Sequence, residues 1–83
     1  MERNLAMARR IARMAEKAGG RVYFVGGFVR DGVMGRENKD VDIEIHGMTA
    51  DAVRRMLGEI GPWKEMGASF GVFALRGYTL DIA

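Results

Sequence analysis

The middle of the chain, residues 22–45, reads VYFVGGFVRDGVMGRENKDVDIEI. Its first four residues are β-branched or aromatic, which predicts a short buried strand over residues 22–25. After two glycines, the apolar spacing of residues 28–34 predicts a brief helix, and residues 36–39 form a polar turn. Apolar and acidic side chains then alternate over residues 40–45, which predicts a strand with one apolar and one acidic face.

Helical and strand patterns on both sides of this stretch complete the expected fold. Apolar residues recur at helical spacing over residues 4–18, where two glycines follow. Thr49 is the expected N-cap of a third helix that ends at Gly61. Residues 70–76 and 78–82 are expected to form a β-hairpin. The predicted fold class is therefore α+β, a small mixed β-sheet with helices packed on one face.

The aromatic residues and the single histidine are expected to be structural. His46 follows the acidic strand and is expected to be an exposed turn residue, not a ligand. Five aromatic residues lie inside apolar patterns and are expected in the core: Tyr23, Phe24, Phe28, Phe70 and Phe73.

Length and composition fit one small domain. The chain has 83 residues, of which 48% are hydrophobic and 29% are charged, so residues 1–83 are expected to form a single domain with a thin core. It has no cysteine, which excludes disulfides, zinc–thiolate sites and thiol nucleophiles. Arginines interrupt the N-terminal segment, so we expect neither a signal peptide nor a membrane span, and a cytoplasmic location follows by default.

Positive and negative charges are unevenly distributed along the chain. Residues 1–36 hold eight Lys or Arg against three acids, whereas residues 37–83 hold five against eight. This division suits a site that binds phosphates together with cations. A helix with solvated arginines on its outer face produces the same asymmetry.

Asp40 and Asp42 form a carboxylate pair on the acidic face of the predicted strand. Residues two apart on a strand point the same way, with α-carbons about 6.5–7 Å apart, so the two side chains can share a metal ion. Magnesium prefers oxygen ligands and leaves positions for water and substrate phosphate. The alternative is a solvated outer face, and the spacing alone does not decide between them. Glu44, on the same face, is expected to be peripheral.

Gly26 and Gly27 connect the first predicted strand to the brief helix. Glycine lets a phosphate approach the backbone, and the free N–H groups at a helix start bind anions. Arg30, one turn into the helix, can add a charge-assisted hydrogen bond to the same phosphate. Taken alone, a glycine pair is more often just a tight turn. Together with the carboxylate pair on the following strand, it predicts a site for a magnesium nucleotide.

Residues 25–43, VGGFVRDGVMGRENKDVDI, closely resemble the signature of the tRNA nucleotidyltransferase (CCA-adding enzyme) and bacterial poly(A) polymerase family. All fixed positions of its approximate pattern, GG-x-V-R-D-x-x-x-G-x-x-x-x-D-x-D, match. Residues 67–73 and 80–83 also look like the later strands of this family's catalytic head. The resemblance covers residues 21–83 and implies a nucleotidyltransferase (polymerase beta-like) head.

The resemblance implies a metal site. Asp40 and Asp42 would be the catalytic residues that bind the Mg²⁺ ions. Asp81 lies where the wider superfamily has an acidic residue on a neighbouring strand, so it is the candidate third carboxylate.

The resemblance also implies a nucleotide site. Gly27 and Arg30 would contact the triphosphate of the incoming nucleotide, and Gly26 would shape the turn. Lys39 would help to neutralise phosphate, with a solvated turn lysine as the alternative. Asp31 is interpreted as an arginine partner that orients the short helix.

The implied activity is magnesium-dependent transfer of a nucleotide from CTP or ATP to the 3′ end of RNA, with tRNA as the acceptor of the parent enzymes. The template for such phosphoryl transfer needs no protein nucleophile. The chain lacks the neck, body and tail domains of the family, so we expect a truncated or minimal head with weak or unspecific activity. The alternatives are a nucleotide- and metal-binding module without catalysis, and a structural domain that forms a homodimer through an exposed sheet edge. The sequence does not indicate a base preference.

Overall fold

The structure, a computed structural model, describes residues 3–25, 41–67 and 71–83. These ranges contain two helices and five strands. The helix expected over residues 28–34, which includes Phe28, lies outside the described residues. Phe70 also lies outside them. The elements are α1 (Arg3–Lys17), β1 (Arg21–Val25), β2 (Val41–His46), α2 (Ala50–Ile60), β3 (Trp63–Met66), β4 (Val72–Leu75) and β5 (Leu80–Ile82).

The five strands form one mixed sheet in the order β1-β2-β5-β4-β3. β2 and β5 run parallel, whereas the other three neighbouring pairs are antiparallel. α1 packs against β1 and β2, and both helices share one apolar cluster with the sheet. The predicted α+β class, with a mixed sheet and helices on one face, is confirmed.

Alternation along the strands gives the sheet a covered face and an open face. Each isoleucine or leucine that is fully buried on the covered face contributes about 1.5–3 kcal/mol relative to exposure. α1 contributes Ile11 and α2 contributes Leu57, both fully buried, to this core. The open face carries Asp42, Glu44 and Asp81. The covered face carries the buried side chains of Val41, Ile43, Phe73, Leu75, Leu80 and Ile82.

The expected ends of α2 are confirmed. Thr49 is its N-cap, and the Thr49 hydroxyl accepts a hydrogen bond from the backbone N–H of Ala52 at 3.1 Å. At the other end, the Gly61 N–H donates to the carbonyl of Leu57 at 3.1 Å. No helix in the part of the chain that the structure describes has both the length and the apolar character needed to cross a membrane.

The structure adds one strand, β3, that the sequence patterns do not predict. Its residues, WKEM, pair antiparallel with β4, but a polar residue, Glu65, lies on the covered face opposite Phe73. Arg54 of α2 donates to the two carboxylate oxygens of Glu65 at 3.0 and 3.1 Å, and to Asp51 at 2.7 Å. These hydrogen bonds hold the pKa of Arg54 above its ordinary value, and the hydrogen bonding to Glu65 has the largest effect. At this position an ion-paired glutamate stands where an apolar residue would have completed the alternating pattern that predicts a strand.

The predicted hairpin is present as β4 and β5, which pair antiparallel. Its strands are shorter at the turn than expected, because β4 ends at Leu75 and β5 begins at Leu80. Gly77, in the connection, has a φ of 89°, which glycine adopts without steric cost.

The prediction that Tyr23 belongs to the core is wrong. Tyr23 is 47% exposed and lies on the open face, where its ring contacts His46 edge-to-face at a centroid distance of 5.0 Å. Val22 and Phe24 pack against the core instead. An apolar run does not reveal that only one face of the strand is covered. His46 is exposed as predicted, although it ends β2 and does not lie in a turn.

Candidate active site

Asp42 is held on the open face by the alternation of β2. Val41 and Ile43, on either side of it in sequence, are almost fully buried on the covered face. Because successive side chains of a strand point in opposite directions, Asp42 is directed away from the helices. It is half-buried, so water and a ligand can reach it.

Asp81 lies beside Asp42 on the neighbouring strand. The parallel pairing of β2 with β5 sets Val41 opposite Leu80, Asp42 opposite Asp81 and Ile43 opposite Ile82. Paired residues of adjacent strands share a face and have backbones about 4.7–4.9 Å apart. The fold therefore brings together two acids that are far apart in the sequence, on the face of the sheet opposite α1 and α2.

The position of Asp81 depends on how the start of β5 is anchored. The Val41 N–H donates to the carbonyl of Thr79 at 3.1 Å. Asn4 of α1 accepts a hydrogen bond from the Thr79 N–H at 3.1 Å and donates one to the Thr79 hydroxyl. Arg3 donates to the carbonyl of Gly77. α1 thus fixes the turn that leads into β5.

A pocket of about 720 Å³ lies beside Asp81, within the range of roughly 300–1,000 Å³ that is typical of small-molecule sites. Lys64, Ala74 and Arg76 are among its lining residues. Ala74 is paired with both Asp81 and Lys64, so these three residues form one row across the sheet. A small residue beside the acid leaves space, and the lysine and arginine supply positive charge for a phosphate.

A second polar group on the open face is directed away from the carboxylate pair. The imidazole Nε2 of His46 lies 2.9 Å from a carboxylate oxygen of Glu44, and Tyr23 packs against the imidazole ring. Glu44 therefore has a partner in His46, and its peripheral role stays a prediction. The sequence does not reveal this group, because Tyr23 reads as a core residue.

The other predicted site residues lie outside the described residues: Gly26, Gly27, Arg30, Lys39 and Asp40. The described chain leads to both ends of this segment. Val25, the last residue of β1, is paired with Asp42, and Val41 begins β2. Within residues 3–25, 41–67 and 71–83 there is no group of three side chains that could bind a metal ion. Asp42 and Asp81 are therefore a candidate pair of ligands, and no third one lies beside them in the described part of the chain.

The two described acids fit a hard divalent cation. Magnesium is usually bound by one or two carboxylates, with water and substrate phosphates in the remaining positions. Asp42 and Asp81 offer oxygen ligands side by side on an accessible face. The chain has no cysteine, so it has no thiolate that would favour a softer metal over a hard divalent cation.

A comparison with protein families gives an independent result. A family model described as the poly A polymerase head domain matches residues 22–78 of the chain, which is well over half of its length. The chain belongs to the poly A polymerase head-domain family. The resemblance inferred from residues 25–43 is thereby confirmed. The matched region contains Asp42 and ends before Asp81.

Two curated proteins are similar to this poly A polymerase head domain. An A-adding tRNA nucleotidyltransferase of Geobacter sulfurreducens is 30% identical over 82 residues, which cover 95% of this chain and 9% of the relative. A CCA-adding enzyme of Levilactobacillus brevis is 54% identical over 37 residues, which cover 45% of this chain and 9% of the relative. The aligned segment thus spans only 9% of the length of each relative. No solved structure matches it significantly.

Proposed function

We propose that this chain is a nucleotidyltransferase head that uses a divalent cation, Mg²⁺, to transfer a nucleotide from CTP or ATP to the 3′ end of RNA. One relative is named an A-adding tRNA nucleotidyltransferase and the other a CCA-adding enzyme, so tRNA is the proposed acceptor. The observation that carries the proposal is the register of β2 and β5, in which Asp42 and Asp81 are neighbours on the open face. Residues 1–83 are proposed to form one head domain.

The carboxylates would hold the cation. Asp42 and Asp81, with Asp40 from the preceding residues, would bind Mg²⁺ on the open face. Bound there, the cation would supply charge stabilisation for the attacking and leaving oxygens of phosphoryl transfer. No protein nucleophile is required, so the side chains act by positioning and by charge neutralisation.

The glycine segment would hold the triphosphate. Gly26 and Gly27 follow directly on Val25, which is the strand partner of Asp42. A phosphate bound by the backbone of Gly27 and by Arg30 would therefore be close to the carboxylate pair. Lys39 would add positive charge. On the other side of Asp81, the pocket lined by Lys64 and Arg76 leaves room for the rest of a nucleotide or for the RNA end.

The test is primer extension with a matched pair of variants. Asp42→Asn removes one negative charge from the proposed metal site, whereas Glu44→Gln removes one from the same strand and the same face, next to His46. We expect Asp42→Asn to reduce the rate of nucleotide addition to a short RNA by about 10²-fold or more, because an electrostatic group of the reaction is lost. Glu44→Gln is expected to keep the rate within a few fold.

The alternatives give different results in the same assay. Stabilisation by magnesium and nucleotide without primer extension would indicate a binding module that lacks catalysis. A wild-type chain that responds to neither cation nor nucleotide would contradict both functions. It would leave a self-associating domain as the remaining candidate, because β1 and β3 are the outer strands of the sheet and outer strands can pair with a second copy.

A further inference from the structure

The solvent side of α1 is strongly basic. Spacings of three and four residues place exposed cations along one side of the helix, and Glu16 is the single exposed acid of Arg3–Lys17. We call this surface the basic face of α1. Its members are Arg3, Arg9, Arg10, Arg13 and Lys17.

Most of these cations have no acidic partner in the described part of the chain. Among residues 3–25, 41–67 and 71–83, no carboxylate is within ion-pair distance of Arg9, Arg10, Arg13 or Lys17. Arg54 of α2 provides the contrast, because Glu65 and Asp51 both bind it. A row of cations without counter-charges repels itself, and a polyanion relieves that repulsion.

The basic face of α1 leads to the candidate active site. Arg3, at its beginning, donates to the carbonyl of Gly77, and its guanidinium lies 4.3 Å from the centre of the Tyr78 ring. These residues precede β5 and therefore Asp81. From Arg3 to Lys17 the helix rises about 21 Å, enough to follow several consecutive phosphates of a nucleic acid strand.

The type of side chain favours phosphate as the ligand. Four of the five cations are arginines, and the guanidinium group binds phosphate through two parallel hydrogen bonds. A row of like charges along a helix fits a regular polyanion better than a compact anion. Among polyanions, RNA is the one named in the proposed activity.

We propose that the basic face of α1 binds the phosphate backbone of the RNA whose 3′ end is presented to Asp42 and Asp81. This proposal rests on the proposed function. The RNA follows α1 toward Arg3 and passes around the end of the sheet at Gly77 to reach the open face. The contacts are electrostatic, so they hold RNA of any sequence.

The experiment measures binding of a labelled RNA hairpin with a single-stranded 3′ end, as a function of salt, to the 83-residue chain and its variants. Arg13→Gln removes one charge from the basic face, and Arg55→Gln removes one from the exposed side of α2. We expect Arg13→Gln to raise the Kd about threefold at low salt and to reduce the slope of log K against log salt by about 0.7–1. Arg10→Gln combined with Arg13→Gln should raise the Kd about tenfold.

Three controls make the result specific. Arg55→Gln should change neither Kd nor slope by as much as half of these amounts. Arg13→Lys should recover part of the affinity, because the charge is kept while the two parallel hydrogen bonds of the guanidinium are lost. All variants should retain the rise in melting temperature caused by magnesium and CTP or ATP, which tests the proposed function and the fold independently of RNA.

The proposal is overturned if the wild-type chain does not bind the hairpin, or if Arg13→Gln and Arg55→Gln weaken binding equally. Binding to vesicles that contain phosphatidylserine, without binding to RNA, would also overturn it and would point to a membrane surface. Loss of the magnesium–nucleotide response in the wild type would contradict the proposed function, whatever the RNA result.

Discussion

Asp81 owes its position to residues that are far from it in sequence. Its partner Asp42 lies on another strand, and the register between them is set by backbone hydrogen bonds at Thr79 and Ala83. The alternation of β2 is sufficient to predict that Asp42 faces away from the core. It is not sufficient to predict which residue of a later strand lies beside it, because strand order and register depend on the whole sheet.

At the residue scale we predict that Asp81→Asn weakens binding of the divalent cation. The substitution keeps the size of the side chain but removes one anionic ligand, and the affinity of such sites depends on ligand charge. We expect the magnesium concentration that gives half-maximal stabilisation, in the presence of nucleotide, to rise about tenfold. Thermal melting over a magnesium series measures this value. Glu59→Gln, at an exposed position of α2, is the control, and equal midpoints for the two variants would contradict the role of Asp81.

Among the elements, α1 and α2 were the most predictable. Apolar residues recur with helical spacing within each helix, among them Ile11 of α1 and Leu57 of α2. Thr49 carries the N-cap signal of α2, so the beginning of that helix follows from local chemistry. The sequence patterns do not predict β3, because an ion pair between Glu65 and Arg54 takes the place of apolar burial, and only the folded arrangement shows this pair. The roles of residues 26–40 stay predictions, since they lie outside the described residues.

At the element scale we predict that Asn4 is needed to attach α1 to the turn before β5. Asn4 is 6% exposed and both accepts from and donates to Thr79. Asn4→Ala removes two hydrogen bonds of a buried side chain, each worth about 0.5–1.5 kcal/mol, so it should lower the free energy of unfolding by about 1–3 kcal/mol. Urea denaturation measures the loss.

Two further variants test this attachment. Asn4→Asp keeps the acceptor and should recover part of the stability, whereas Glu16→Ala, at an exposed position of the same helix, should change the free energy of unfolding little. If Asn4→Ala were no more destabilising than Glu16→Ala, the attachment would have no energetic role.

The whole molecule has a small core, in which thirteen hydrophobic residues of the described part are buried. Chains of this size bury a modest fraction of their surface and are marginally stable. Ligand binding should therefore have a large effect on stability. The folded state alone brings Asp42 and Asp81 together, so a cation and nucleotide that bind there favour the folded state by mass action.

At the scale of the whole molecule we predict a large thermal shift. With Mg²⁺ and CTP or ATP at a hundred times their Kd, stability should increase by about 2.7 kcal/mol. In a domain of this size that corresponds to a rise in Tm of roughly 10–20 °C. Calorimetry with and without EDTA measures it. The prediction is wrong if EDTA leaves the Tm of the nucleotide-containing sample unchanged.

The parallel pairing of β2 with β5 also has a consequence for synthesis on the ribosome. Asp42 is synthesised before Asp81, and the strand that carries Asp81 enters the middle of the sheet, between β2 and β4. A nascent chain that stops before β5 therefore holds an incomplete sheet with half of the carboxylate pair. A lanthanide ion that binds to the complete carboxylate pair would change its luminescence when β5 is inserted beside β2.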